Sequence, residues 1–436
     1  MLRLVGATDR AEVERLQSET AEVRVVLADR FSFRLDGLPD IRAFLRGGGD
    51  PLSRILDGPE LAAIGFVLER GRSLRSDLSR REDLPILRAR TLGLPTLEEL
   101  RETIESAIDP QGEVLSTASV ELTRVRGEIS RLDRELRRWC ENKAQSSSIR
   151  KSLQETFVSV RNGRFVLAVR AEHRGRVRGV VHGESASGAT LFIEPEDIVR
   201  RGDELADFHQ REQHEIHRIL AELTLRVHKQ HSPILQTFET LVDLDVAVAR
   251  GRFGEAFRAV RPVVSEGRQL VVAGARHPLL LWLERDASLP IGADSLASAV
   301  DRIVPLDLDL AGAAYQMVVT GPNTGGKTVA LKTVGLFALM TTIGLPVPAQ
   351  PGATIPLYDG VYADIGDEQS LEQSLSTFSA HMTVISGILH AATSRSLVLI
   401  DELGAGTDPL EGAALGESIL ERLYRRGTAT LVTTHL

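Results

Sequence analysis

One cysteine, Cys140, occurs in 436 residues, so neither a disulfide framework nor a cysteine metal cluster can form within one chain. Aromatic residues make up 4%, too few for a base-stacking platform of interleaved rings. No run of 18 or more apolar residues is present; the nearest, Val329 to Pro348, carries Lys332 and ends in prolines. No secretory start is visible, because Met1-Leu2-Arg3 leads straight into an acidic, helix-patterned stretch. These absences predict a soluble, cytoplasmic chain. Lysine is scarce, with five among 52 basic residues, a bias that genomic base composition explains and from which nothing functional follows. Positive charge is not in excess either: the net charge of -8 argues against a generally basic nucleic-acid coat.

What is present is ordinary globular composition, 42% apolar and 26% charged, which excludes wholesale disorder. The length predicts roughly two to four domains. Charge is unevenly spread. Residues 1–290 hold 45 Lys+Arg against 45 Asp+Glu, whereas residues 291–436 hold 7 against 15. Any contact with a polyanion is therefore expected to be local and in the first two thirds.

The hydrophobic period divides the chain. Residues 1–95 read as helices, with Leu61, Ile64, Val67 and Leu68 at helical spacing. Residues 96–150 open on a capping-box pattern, Thr96-Leu97-Glu98-Glu99, and contain a long helix over about 117–143. Its Leu122, Val125, Ile129, Leu132 and Leu136 form a narrow seam suited to one partner helix. Within 151–200 the period changes to short β-type runs: Phe165 to Val169, Val177 to Val181 and Thr190 to Ile193. Residues 201–260 return to helix, with Ile216, Leu220, Leu223 and Val227 on one face. The economical arrangement is an antiparallel helix pair forming an arm, with the β unit at its tip. From 261 to 436 strands alternate with helices, as in an α/β domain with a mainly parallel sheet.

That last region carries the chemistry. The strand pattern Gln316 to Thr320 runs into Gly321-Pro322-Asn323-Thr324-Gly325-Gly326-Lys327-Thr328, and a helix follows. This is the full phosphate-loop spacing. Its glycines let backbone N–H groups turn around phosphate oxygens, Lys327 reaches the β and γ phosphates, and the Thr328 hydroxyl ligates Mg²⁺. A second strand pattern, Ser396 to Ile400, ends in Asp401-Glu402. Asp401 suits Mg²⁺ through its water shell, and Glu402 suits the attacking water. A third ends in His435, placed for the γ-phosphate or that water. Leu375-Ser376-Thr377-Phe378-Ser379 reads only as a polar helix start.

Taken together, these residues resemble the MutS family of ATPases, built on an ABC-type nucleotide-binding fold. The phosphate loop, Ser376-Thr377-Phe378, Asp401-Glu402-Leu403-Gly404-Ala405-Gly406-Thr407 and Thr434-His435 match its motifs in order, preceded by Arg276-His277-Pro278. Within that family the chain is similar to the bacterial MutS-two branch. The stretches Ser185 to Pro195, Asp364 to Ser370 and Gly406 to Gly412 carry this closer likeness, which runs over nearly the whole chain.

The resemblance implies an ABC/MutS-type ATPase domain over 261–436, incomplete at its C-terminus. It also implies a helical core in two parts, 1–95 and within 201–260. Lever helices over 96–150 and from 201, and a β clamp tip over 151–200, complete the scheme. It implies ATP and Mg²⁺ as cofactors. The homodimer would have composite sites, in which Ser376 and Thr377 reach the nucleotide held by the other subunit. Family members are linked to suppression of recombination through branched DNA and to rescue of collided ribosomes, with rRNA contact. Three departures qualify it. The N-terminal mismatch reader of true MutS proteins is missing, and Phe253-Gly254-Glu255 matches its spelling only by chance, which disfavours a mismatch sensor. The chain stops at Leu436, before the last ATPase elements, the dimerisation segment and the small MutS-related nuclease domain. The start is shorter by about one helix. Two readings follow: an ATP-hydrolysing clamp on a nucleic-acid assembly, and a binding module that holds ATP without turnover.

The expected polyanion contact is the tip. Arg161, Arg164, Arg170, Arg174, Arg176 and Arg178 face one acid, Glu172, within 161–178. If extended, the stretch projects Arg174, Arg176 and Arg178 from one face. Arginine pairs with phosphate through two parallel N–H bonds.

Overall fold

The computed structural model describes residues 6–45, 54–310, 314–322, 326–366 and 374–435, with backbone alone at 374–378. The first third is helical. Asp9 caps α1 (Arg10–Ala28) by accepting from the Glu12 amide. A short turn, α2 (Arg42–Leu45), precedes α3 (Gly58–Leu78), α4 (Pro85–Leu92) and α5 (Glu98–Ala107). The expected capping box does not form. Leu97 holds the N-cap position of α5 and no side chain caps it, because Thr96 stands one residue too early.

Next come α6 (Val120–Gln145), the strands β1 (Ser159–Arg161), β2 (Arg164–Arg170), β3 (Gly179–Glu184) and β4 (Thr190–Pro195), and then α7 (Glu196–Lys229). The two long helices pair antiparallel. Ser119 bonds Glu215 at 2.7 Å, Arg126 bonds Glu212 at 2.7 Å and Lys143 bonds Asp197 at 3.2 Å, so partners rise on one helix as they fall on the other. The seam of α6 lies inward: Leu122, Val125, Leu132 and Leu136 are buried. Burial of each such leucine contributes about 1.5–3 kcal/mol. The strands form one sheet in the order β1-β2-β4-β3. Its Phe165, Leu167, Val169 and Ile193 share a core with Leu136, Cys140 and Ala144 of α6 and with Ile198 and Leu205 of α7. Burial pushes the Cys140 thiol up to about 12, with Glu194 and Glu141 adding to it, so this cysteine packs as a small apolar group.

The chain falls into two compact units: 35–76 with 93–241, and 1–34 with 77–92 and 242–436. The second unit takes in the end of α8 (His231–Ala256) and two sheets. One holds β5 (Val263–Ser265), β6 (Leu270–Ala275), β7 (Leu306–Leu310) and β9 (Thr354–Pro356), in the order β5-β9-β6-β7. Helices α9 (Pro278–Leu283) and α10 (Ala293–Arg302) intervene between β6 and β7. The other is wholly parallel, β10-β11-β12-β8, from β8 (Gln316–Thr320), β10 (Val361–Asp364), β11 (Leu397–Ile400) and β12 (Ala429–Thr434). Helix α11 (Lys327–Thr342) joins the two sheets in a common core. Its Leu331, Val334, Phe337 and Met340 cluster with Leu397, Leu399 and Leu431 of the parallel sheet and with Leu270, Val272 and Leu308 of the mixed one. A helix this apolar buries most of its surface, and only Val329, Lys332 and Leu339 of α11 are exposed. This accounts for the longest apolar run of the sequence, and no helix among the described residues is long and apolar enough to cross a membrane. Gly335 brings α11 close to β11, since a Cβ there would sit 2.6 Å from Leu399 Cδ1. Helices α12 (Ser374–Ala391) and α13 (Pro409–Arg426) cover the opposite face through Ile385, Ile388, Ile419 and Leu423.

Phe253 and Glu255 are spent on packing: Phe253 stacks on Phe257 at 4.3 Å and Glu255 pairs with Arg24 at 2.9 Å.

Candidate nucleotide site

Parallel strands all end on one edge, and helices that connect them run back antiparallel. The C-terminal ends of β8, β10, β11 and β12 therefore gather Gly321, Asp364, Asp401 and His435 along a single rim. Ligands of open parallel sheets bind in the crevice outside such a rim.

The phosphate loop leaves β8 at Gly321, whose φ of 139° is accessible to glycine. Asn323, Thr324 and Gly325 lie outside the described residues. Gly326 sits at φ 79° as the left-handed N-cap of α11, turning the loop into the helix. Pro322 is exposed. Lys327 opens α11 and is 6% exposed. Its ammonium folds back to donate to the Gly321 carbonyl, and lies 3.5 Å from the Thr434 carbonyl and 3.5 Å from His435 Nε2. The cation thus stands between the ends of β8 and β12.

Thr328 Oγ1 donates to Asp401 Oδ2 at 2.5 Å. The other carboxylate oxygen, Oδ1, accepts from the Thr433 hydroxyl, and that hydroxyl accepts the Glu402 amide at 2.8 Å. Glu402 itself holds φ 52° without being glycine, a left-handed conformation that costs on the order of 1–2 kcal/mol. It swings the second acid out of line with β11. His435 Nε2 lies 3.7 Å from Glu402 Oε1, both side chains being about two-fifths exposed. The basic, acidic and hydroxyl groups expected from the motifs therefore meet within a few ångströms.

The donor set fits Mg²⁺. It offers a threonine hydroxyl and one carboxylate, hard oxygen ligands in the small number that Mg²⁺ takes from protein when phosphates supply the rest. Among the described residues no cluster of three or more His, Cys, Asp or Glu forms an all-protein metal cage.

Two parts of this site had no motif to announce them. Thr433 joins both acids, and its signal was only its place after Val432, which pairs with Ile400 in register. His381 Nδ1 bonds both oxygens of Asp364, at 3.0 and 2.9 Å. Ser376 and Thr377 lie in the first turn of α12 and their side chains are outside the described residues. In the Arg276-His277-Pro278 stretch, His277 is the N-cap of α9. Burial, with Lys332 nearby, pushes its pKa down, which keeps the ring neutral.

The tip differs from expectation in two respects. Ala171–Arg176 is a 3-10 turn, not extended chain, so the alternation of Arg174, Arg176 and Arg178 does not align them on one strand face. The cause is topological: β4 lies between β2 and β3, and the connection must cross it. Arg164 is turned inward, bonded to Asp203 at 2.8 Å and to buried Glu194 at 3.4 Å. Arg161, Arg170, Arg174, Arg176 and Arg178 are exposed. Arg161 lies 4.5 Å over the Phe192 ring.

A family model for MutS domain V matches residues 317–436. Endonuclease MutS2 of Pelotomaculum thermopropionicum is 43% identical over 422 residues, covering 97% of this chain and 51% of that protein. Endonuclease MutS2 of Symbiobacterium thermophilum is 41% identical over 436 residues, 99% of this chain and 52% of the relative. The Halalkalibacterium halodurans protein of the same name is 39% identical over 438 residues, with 99% and 53% covered. The chain thus spans about half the length of the curated relatives it matches.

Proposed function

We propose a function from one premise: the chain belongs to the MutS2 family. It binds and hydrolyses ATP as the motor half of a clamp on nucleic acid, and 261–436 is its ABC/MutS-type ATPase domain. The observation that carries this reading is the meeting of Lys327, Thr328, Asp401, Glu402 and His435 on one rim of a parallel sheet.

Each residue has a separable task. Lys327 exchanges its carbonyl partners for β and γ phosphate oxygens. The Gly321 to Gly326 backbone and the N-terminus of α11 supply N–H groups to the same anion. Thr328 and Asp401 hold Mg²⁺, which supplies charge neutralisation at the transferred phosphoryl group. Thr433 keeps the Asp401 carboxylate aimed at Thr328 and fixes the Glu402 backbone. Glu402 orients and deprotonates water, and His435 bonds that water or the γ-phosphate. Ser376 and Thr377 act on the nucleotide of a second subunit in a homodimer.

The exposed tip arginines contact phosphates of branched DNA or of ribosomal RNA, independently of sequence. The printed name of the relatives, endonuclease, describes proteins about twice as long, and no nuclease activity is proposed for this chain.

Measuring ATPase rate against protein concentration tests the reading. A specific rate that rises with concentration supports dimer-completed sites. ATP binding with no turnover at any concentration favours a nucleotide-dependent binding module instead. Capture from lysate with ATP and a Glu402→Gln variant, scored for rRNA against DNA, identifies the polymer.

A further inference from the structure

Asp364 opens one of the stretches that carry the family likeness, but neither it nor His381 has a task in the site as assigned above, and the pair sits on the same rim. Asp364 is the last residue of β10 and is 8% exposed. Its backbone carbonyl accepts the Asp401 amide at 2.9 Å, so it extends the sheet one step into the acidic pair. Its carboxylate accepts from His381 Nδ1 at 2.9 Å. One residue therefore bonds the metal-holding strand through its main chain and α12 through its side chain.

Helix α12 is built to bring His381 there. His381, Ile385, Ile388 and Ala392 fall at helical spacing. The last three are buried against β11, β12 and α13. Because α12 leads into β11, and the connected strands are parallel, its N-terminal end lies at the rim and its C-terminal end at the opposite edge. His381 is the polar head of an otherwise apolar stripe, and it meets a nearly buried carboxylate in place of a core side chain. Ser376 and Thr377 precede it on the same helix by about one turn.

We propose that His381 is a positioning residue that couples the first turn of α12 to Asp401 through Asp364. The proposal rests on the nucleotide-site reading above and adds to it a route. Loading of Asp401 is felt by the Asp364 backbone, and the Asp364 carboxylate passes the displacement to His381. From there it reaches the segment that carries Ser376 and Thr377. The route gives the ring no direct task on nucleotide or water, so its loss is expected to affect the turnover of bound nucleotide and to leave nucleotide capture by the phosphate loop in place.

Two variants of this chain test it. His381→Ala removes the link. His381→Asn restores a donor, since the amide Nδ2 occupies nearly the position of imidazole Nδ1. The measurements are affinity for Mg·ATP, kcat, and hydrogen exchange of α12 amides with and without Mg·ATP. His381→Ala is expected to lower kcat roughly ten- to hundredfold, as misplacement at a site does, with affinity changed less than about threefold. It is also expected to abolish the nucleotide-dependent change in α12 exchange, and His381→Asn is expected to recover both. A kcat for His381→Ala within about twofold of wild type overturns the proposal, as does an α12 response that survives in that variant. Loss in both variants, with α12 exposed whether or not nucleotide is present, overturns it too, because it reports a helix that has come loose. A wild-type chain that binds Mg·ATP without turnover counts against the hydrolytic reading alone, and the exchange comparison then decides the proposal by itself. A wild-type chain that does not bind Mg·ATP overturns both.

Discussion

Thr328 donates its hydroxyl to Asp401 at 2.5 Å, tying the first turn of α11 to the end of β11 across 73 residues of sequence. This bond joins the two residues proposed to hold Mg²⁺, one next to Lys327 and one next to Glu402, so the phosphate-binding and hydrolytic roles proposed for those neighbours can be tested apart.

Lys327→Ala should abolish ATP binding, because the ammonium that neutralises the phosphates is removed from a nearly buried position. Glu402→Gln should keep binding and stop hydrolysis, because the amide cannot take a proton from water. Equilibrium binding of a fluorescent ATP analogue beside a phosphate-release assay distinguishes the two. Equal loss of binding in both variants would remove Glu402 from the chemical step.

Ser376 is expected to act across the dimer. Mixing Ser376→Ala subunits with Lys327→Ala subunits should then restore one intact site in each heterodimer. The measurement is ATPase activity of a heterodimer purified through two different tags. No recovery in that species would count against a shared site.

Thr433 is buried and its hydroxyl satisfies both Asp401 and the Glu402 amide. Thr433→Val keeps β-branched shape in a strand but strands the Glu402 N–H, at a cost of about 1–3 kcal/mol. The expected outcome is a folded protein with a lower melting temperature and a loss of kcat larger than the loss of ATP affinity. Thermal unfolding and steady-state kinetics check it, and an unchanged kcat would show that Asp401 needs no second support.

The strands that carry the motifs were legible because each holds a short apolar, β-branched run just before its motif, and Gln316–Thr320 is β8 to the residue. Its burial was not legible. A run of apolar residues reads as a strand covered on both faces, but β8 lies at the sheet edge and Val318 is 47% exposed. The long helices α6 and α7 could be read from their seams, which repeat every three or four residues. The tip turn could not, since its alternating arginines imitate a strand and only the strand order reveals the crossover. Glu19 and Arg250, bonded at 2.8 Å inside the second unit, are 231 residues apart and leave no local pattern. The same holds for Asp364 and His381, whose meaning exists only once the strands are aligned.

Acid should loosen the arm at a definite place. Ser119 caps α6 by accepting the Leu122 amide while donating to Glu215 on α7, and Arg218 bonds the same carboxylate. Arg218 foremost, then Ser119, holds the Glu215 carboxyl down to about 2 from an ordinary 4.5. A depressed folded-state pKa contributes stability that is present above the unfolded value and is lost as pH falls through the folded one. Protection of the first-turn amides of α6, measured against their intrinsic exchange rate, should therefore fall between pH 4.5 and about 2. Glu215→Gln should flatten that dependence, and an identical pH profile in the variant would place the acid sensitivity elsewhere.

The exposed arginines of the tip differ from those of the helices that carry it. On the arm helices the arginines are largely neutralised: Arg124 pairs with Glu121, Arg131 with Glu128 and Glu135, and Arg218 with Glu215. Arg161, Arg170, Arg174, Arg176 and Arg178 are exposed and form no ion pair with another described residue. Arg164 is different, because Asp203 and Glu194 already hold it, so it should serve packing. Reversing Arg174, Arg176 and Arg178 to Glu should weaken binding to branched DNA or to ribosomes strongly. It should also flatten the salt dependence, since every phosphate left unneutralised takes about 0.7–0.9 off the slope of log K against log salt. ATP binding should be unchanged. Arg164→Ala should instead lower the melting temperature and leave the salt slope in place, because the buried Glu194 is deprived of a partner. Titrations at several salt concentrations, with both polymers, give the slopes. An unchanged affinity and slope in the triple reversal would take the polyanion contact away from the tip.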